Sequence, residues 1–176
     1  MAPPEARDGI GERIHAAALD LLRARGPRAV TMQAVTEATG IAKTTLYRRH
    51  PNRRALLASA LKSLTLRASL PAGADTEQRM RWAVEQSVEV ITHGIGVGGF
   101  AALLTNEDPE FSDAFRTILG AHRAQAIEAL GCDGTDGDTV IDMIVGSYVA
   151  ELARAAQVDE NWGERVASIL RRLPNR

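Results

Sequence analysis

Cysteine is nearly missing from the sequence. Cys132 is the only one in 176 residues, so no disulfide can form within the chain and a reducing compartment is expected. Aromatic residues amount to 4 %, and the apolar total of 45 %, ordinary for a chain that buries a core, is largely aliphatic. No apolar run approaches the roughly 20 residues needed to cross a bilayer. The opening residues MAPPEARDGIGE do not place a basic stretch ahead of an apolar one, as a secretion signal would. A soluble cytoplasmic protein with no membrane partner is expected. Strand-type alternation, internal repeats and low-complexity tracts are lacking too. So are the H-E-x-x-H, G-x-S-x-G and Walker patterns of common catalytic sites. His15, His50, His93 and His122 never pair at i, i+3 or i+4 and have no cysteine nearby, so no metal site is expected. These absences speak against an enzyme and against a bound cofactor.

Charge is present in both signs but unevenly spread. Residues 1–60 carry ten basic and five acidic side chains, a net of +5, while residues 61–176 carry eleven and seventeen, a net of −6. No acidic residue stands between Glu37 and Asp75, where Lys43, Arg48, Arg49, Arg53, Arg54, Lys62 and Arg67 lie. A basic patch at one end of an acidic chain suits a polyanionic partner. Charge alone fits a solvated face equally well.

Helical spacing runs through almost the whole chain, and the fold class is all-α. Ile10, Ile14, Ala17, Ala18, Leu21 and Leu22 mark one face of a first helix, capped by Asp8 and stopped at Gly26-Pro27. Thr31 is the N-cap of a short second helix with Met32, Val35 and Ala38 on its inner side and Gly40 at its end. A third runs from about Ala42 to Arg49, before His50-Pro51. A fourth starts at Asn52, carries Leu56, Leu57, Leu61 and Leu64, and reaches Pro71 and Gly73. Asp75 and Gln78 form a capping box ahead of Met80, Val84, Val88 and Ile91 on a helix ending near His93. GIGVGG then reads as a connector into Phe100–Leu104. A helix follows Asp108-Pro109 to Leu130, and Gly131–Gly137 reads as a loop. The last two helices are 138–156, with Asp138 as N-cap, and about 160–173.

Residues 31–57, TMQAVTEATGIAKTTLYRRHPNRRALL, carry the functional signal. Two short helices joined through a glycine turn, resting on a preceding amphipathic helix, describe a helix-turn-helix, whose second helix lies in the major groove. Leu46 anchors that second helix and Ile41 packs in the turn, while Lys43, Thr44, Tyr47 and Arg48 face outward. The run resembles the DNA-binding signature of the TetR family of bacterial transcriptional regulators. The matching residues are Thr31, Ala34, Val35, Ala38, Gly40, Ile41, Thr45, Leu46, Tyr47, Arg48, Leu56 and Leu57, within about residues 8–60. Two positions depart from the family. Ala42 stands where a capping Ser or Thr is usual, and Arg53 where a lysine usually meets phosphate. The resemblance together with side-chain chemistry implies that Lys43 and Arg48 read guanine and Thr44 meets a thymine methyl. Thr31, Thr45, Tyr47, His50 and Arg53 would bind phosphates.

Gly94–Gly99 formally satisfies G-x-G-x-x-G, and a nucleotide-binding enzyme using it is the alternative function. That motif needs a strand before it and a helix after it in a βαβ unit. Val84, Val88 and Ile91 instead continue the helical face begun at Met80. A helical interaction module whose basic end binds a protein is a third possibility.

The helix 138–156 is apolar over far more than a ~100° stripe. It must be covered on two sides, by its own domain and a second copy, or as the central helix of a monomer. The resemblance implies that the last two helices form a four-helix interface in a homodimer, with Ile141, Val145, Tyr148, Val149, Leu152, Trp162, Val166, Ile169 and Leu170 at the contact. It also implies a small-molecule effector among Trp82, Phe100, Phe111, Phe115, His122 and Met143. The expected layout is a helix-turn-helix domain over residues 1–51 and a helical ligand-binding and dimerisation bundle over 52–176. The expected function is a repressor, released from a palindromic operator in double-stranded DNA by the effector.

Overall fold

A computed structural model describes residues 4–64, 70–131 and 134–172, with side chains from residue 9 onward and excepting 134 and 135. The described residues are all-α: α1 (Pro4–Arg25), α2 (Met32–Thr39), α3 (Lys43–Arg49), α4 (Arg53–Lys62), α5 (Thr76–Glu89), α6 (Gly96–Thr105), α7 (Pro109–Leu130), α8 (Gly134–Ala155) and α9 (Trp162–Leu170). They pack as two compact units, one within Met1–Thr65 and Val90–Ile118, the other within Leu66–Glu89 and Leu119–Arg176.

In the first unit α1 is the spine, packing on α2, α4 and α6. Its buried Ile14, Ala18 and Leu22 recur every four residues, so one stripe of the helix faces inward. Helix α1 begins at Pro4, so Asp8 lies within it and is not the N-cap expected of it. Short-range capping builds the next helices. The Thr31 hydroxyl accepts from Ala34 N at 3.0 Å, and Asn52 Oδ1 accepts from Ala55 N at 2.9 Å. Gly40 closes α2 at φ 66°, in the left-handed region that glycine enters without a Cβ penalty. Val30, Val35, Leu46, Leu56, Leu57 and Leu61 are fully buried within the first unit, each such aliphatic side chain contributing roughly 1.5–3 kcal/mol. Helix α4 ends at Lys62 rather than near Pro71, and residues 65–69 lie outside the described part.

The glycine segment departs from its expected role as a connector. Val90–Ile95 forms a π-helical turn that runs straight into α6, so Thr76–Thr105 is one uninterrupted helical stretch. A π turn leaves backbone groups off register, and Arg23 Nε from α1 donates to the Gly94 carbonyl at 3.0 Å. Gly96 sits at φ 70°, and a Cβ there would lie 3.6 Å from the Arg23 backbone. Gly94 and Gly96 thus lie where this helix meets Arg23 of α1. No described strand precedes them, so the G-x-G-x-x-G match lacks the βαβ context of a nucleotide site. Joining α5 to α6 also yields a helix whose best window has mean hydropathy 1.4, apolar and long enough by composition to cross a membrane. That corrects the expectation that no apolar run is long enough. Ile91, Ile95 and Ala102 of this stretch are buried in the protein's own core.

The second unit is built on Val84 and Val88 of α5, Ala126 of α7, Ile141 and Ile144 of α8, and Trp162, Ala167 and Leu170 of α9. Tyr148 meets Trp162 edge to face at 5.2 Å. The Asp75–Gln78 capping box forms as expected, with Gln78 N on Asp75 Oδ1 at 2.8 Å and Asp75 N on Gln78 Oε1 at 3.0 Å. Helix α8 begins at Gly134, four residues earlier than expected, and Asp138 is not its cap. Asp138 and Asp142, one turn apart, together hold the Arg123 guanidinium of α7.

Candidate nucleic-acid interface

Helix α3 is seven residues long, and one side chain fixes which way it faces. Leu46 is fully buried and Ile41 is buried in the turn, so the opposite side of α3 is turned to solvent. Lys43, Thr44, Tyr47 and Arg48 are all exposed, Tyr47 at 41 %. The Lys43 ammonium lies over the Tyr47 ring, 5.8 Å from its centroid, a cation–π contact that orders both side chains. Thr31 is exposed at the start of α2 while its hydroxyl caps that helix, and Thr45 is half-buried. Ala42 stands at the N-cap of α3 with no side-chain acceptor, as its sequence implies. The exposed donors of Lys43 and Arg48 on a short helix match what major-groove readout requires.

Two expected phosphate ligands are corrected by their surroundings. His50 is buried at the end of α3, its ring 5.7 Å from that of His15, whose Nε2 is 2.8 Å from Ser59 Oγ. Burial holds the pKa of both imidazoles below 6.5, helped by Arg49 and, for His50, by His15. His50 therefore packs the head from inside. Arg53 has five N–H donors, and all five are taken. Nε donates to Val30 O at 2.8 Å, Nη1 to Asp108 Oδ1 at 3.2 Å and Glu110 Oε2 at 2.8 Å, and Nη2 to Pro27 O at 2.8 Å and Asp108 Oδ2. A guanidinium so occupied has no donor left for a phosphate.

Arg53 is not alone in turning inward. Arg23 donates to Gly94 O, and Arg28 donates to Glu107 O at 2.9 Å with its carboxylate 3.4 Å away. Three of the basic residues that make the N-terminal end positive thus serve packing within the first unit. Asp108, Glu110 and Glu107 escaped the sequence reading as partners of this end. Asp108-Pro109 signals a helix start, and nothing local reveals that its carboxylate meets an arginine 55 residues earlier.

The remaining site candidates are dispersed. Phe100, Phe111 and Phe115 belong to the first unit, where Phe111 and Phe115 stack at 5.8 Å in the core. Trp82, His122 and Met143 belong to the second. Met143 is 51 % exposed, one residue along α8 from the buried Ile144, so it faces outward and does not line a pocket. Among the described residues, buried polar side-chain atoms without a partner are Gln86 Oε1 and His122 Nδ1 in the second unit and Ser112 Oγ in the first. Of the expected interface residues, Ile141, Trp162 and Leu170 fill the second unit's own core, which removes them from any contact surface. Ile169 is 58 % exposed, and Val145, Tyr148, Val149, Leu152 and Val166 are half-buried.

A short, outward-facing, basic α3 packed on α2 describes a helix-turn-helix DNA-binding head. Residues 14–60 match the family model of bacterial regulatory proteins of the tetR family. The match covers the DNA-binding segment and supports a TetR-type, DNA-binding transcriptional regulator. No curated protein matches the chain.

Proposed function

We propose that the protein is a sequence-specific, homodimeric repressor that leaves a palindromic operator when a small-molecule effector binds. The reading is carried by the exposed surface of α3, where Lys43, Thr44, Tyr47 and Arg48 all stand in solvent while Leu46 is buried. Lys43 and Arg48 read guanine edges, Thr44 meets a thymine methyl, and Thr31, Thr45 and Tyr47 bind phosphates and set the register. In this reading residues 1–51 recognise DNA and residues 52–176 sense and dimerise. The half-buried apolar residues of α8 and α9, with the exposed Ile169, supply a face for a second copy. A two-fold dimer places two copies of α3 about one DNA turn, or a multiple, apart. The unpaired Gln86 and His122 atoms support an effector in the second unit, since each buried, unsatisfied group costs about 1–3 kcal/mol until something pairs with it. The protein works in the cytoplasm on nucleoid DNA, without a cofactor, metal ion, membrane or catalytic step.

The test is selection from a randomised duplex library followed by affinity measurement over a salt series. A palindromic consensus should emerge, with log K falling against log salt at about −0.9 per phosphate neutralised. Arg48→Ala should flatten the preference at one base position of each half-site. Recovery of no consensus would refute sequence-specific binding, and a monomer bound to a single half-site would refute the dimer.

A further inference from the structure

Arg53 stands at a junction of the DNA-binding head. It opens α4, four residues beyond the end of α3, and its guanidinium reaches back to the carbonyls of Pro27 and Val30, just ahead of α2. It therefore ties the entry of the helix-turn-helix to its exit. Its remaining donors go to Asp108 and Glu110, at the corner that opens α7. Asp108 is 7 % exposed in its side chain and Arg53 23 %, whereas Glu110 is half exposed. Asp108 is itself held, because Oδ1 accepts from Phe111 N at 3.2 Å at the start of α7. Arg28, from the same turn as Pro27, is bound to Glu107 on the other side of that corner.

We propose that Asp108, acting through Arg53, is a positioning residue for DNA recognition. The ion pair fixes the turn before α2 and the start of α4 against the α7 corner, and so sets the angle at which α3 enters the groove. Two features single out this pair. The fork of Arg53 matches the Asp108 carboxylate in bidentate fashion, which restricts orientation as well as distance. The five committed donors also exclude the competing role, direct contact with phosphate. A lysine at position 53 would keep the charge and lose the fork. The inference rests on the DNA-reading role of α3.

The experiment uses the full chain, a duplex enriched from a random library by the wild-type protein, and a scrambled duplex of the same composition. Anisotropy titrations over a salt series give affinity, salt slope and the enriched-to-scrambled ratio, and circular dichroism gives the folded fraction. Asp108→Asn and Arg53→Lys are each expected to weaken the enriched duplex about tenfold, the equivalent of one lost base contact. The scrambled duplex and the salt slope should be unchanged, and the double variant should be no worse than the weaker single. Glu110→Gln removes one exposed acceptor and should weaken the enriched duplex less, with the fold intact. Wild-type affinity of Arg53→Lys, with a slope lowered by about 0.9 in Arg53→Met, would make Arg53 a phosphate ligand and overturn the proposal. So would variants that lose folded fraction but keep wild-type affinity per folded molecule, since the cluster would then serve stability alone. Failure to enrich any duplex would instead refute the sequence-specific reading beneath it.

Discussion

Leu46 and Tyr47 are neighbours in the sequence and about 100° apart around α3, so replacing each with alanine should damage different properties. Leu46 is fully buried where α3 meets the rest of the head. Truncation there removes apolar contacts and leaves a void, at a cost of about 2–5 kcal/mol. Against a typical domain stability of roughly 5–15 kcal/mol, Leu46→Ala should lower the urea midpoint of the first unit visibly. Tyr47 is largely in solvent, and Tyr47→Ala should shift stability by no more than about 0.5 kcal/mol. It removes the ring beneath Lys43 and the hydroxyl proposed to bind phosphate, and should weaken the enriched duplex about fivefold, the equivalent of ~1 kcal/mol. Tyr47→Phe keeps the ring and separates the two contributions. Urea denaturation followed by circular dichroism measures the first quantity, and anisotropy on the folded fraction measures the second. A Leu46→Ala change below about 1 kcal/mol, together with a Tyr47→Ala protein that unfolds, would mean that α3 faces the other way. The assignment of its reading side would then be wrong.

Other outcomes follow from packing and charge. His15 and His50 have folded pKa values below 6.5, so the unfolded chain takes up protons first as pH falls. The stability they contribute is complete above about 6.5 and lost as pH drops from there through their folded values. The urea midpoint should therefore be level from pH 8 to 7 and decline below about 6.5, with a shallower decline in His50→Gln. In Gly137→Ala the new Cβ would sit 2.6 Å from Ile127 Cγ2, an overpacking cost of about 1–3 kcal/mol, and Ile127→Ala in the same chain should relieve it. A gain of about 1 kcal/mol in the single variant, the bare helix-propensity effect, would contradict the close approach of α7 and α8. Ala42→Ser supplies the missing cap of α3 and should raise stability by about 0.5–1 kcal/mol without changing the selected DNA sequence.

The elements of this protein that were legible in its sequence are those that one or two helical turns decide. Thr31, Gly40, Asn52 and the Asp75–Gln78 pair cap helices by contacts three or four residues away, so the residues themselves disclose the geometry. The outward side of α3 was legible for a similar reason. Leu46 is the aliphatic residue in LYRR, and helical period alone turns Thr44 and Arg48 to the opposite side and Tyr47 about 100° away. The glycines of 94–99 misled because their composition favours a loop, whereas tertiary contacts such as Arg23 of α1 on Gly94 O and beside Gly96 go with a helical course here.

Tertiary structure alone decided what the longer side chains do. Arg53 looks like a phosphate ligand in sequence, and only the arrival of Asp108, 55 residues later, turns it inward. The apolar faces of α8 and α9 likewise give no sign of which residues fill their own core. Ile141, Trp162 and Leu170 do, while Ile169 does not. The physical reason is one of range. A cap or an apolar stripe is satisfied within its own helix, whereas a charge or an apolar face is satisfied by whatever the fold brings up to it, and no periodicity records that.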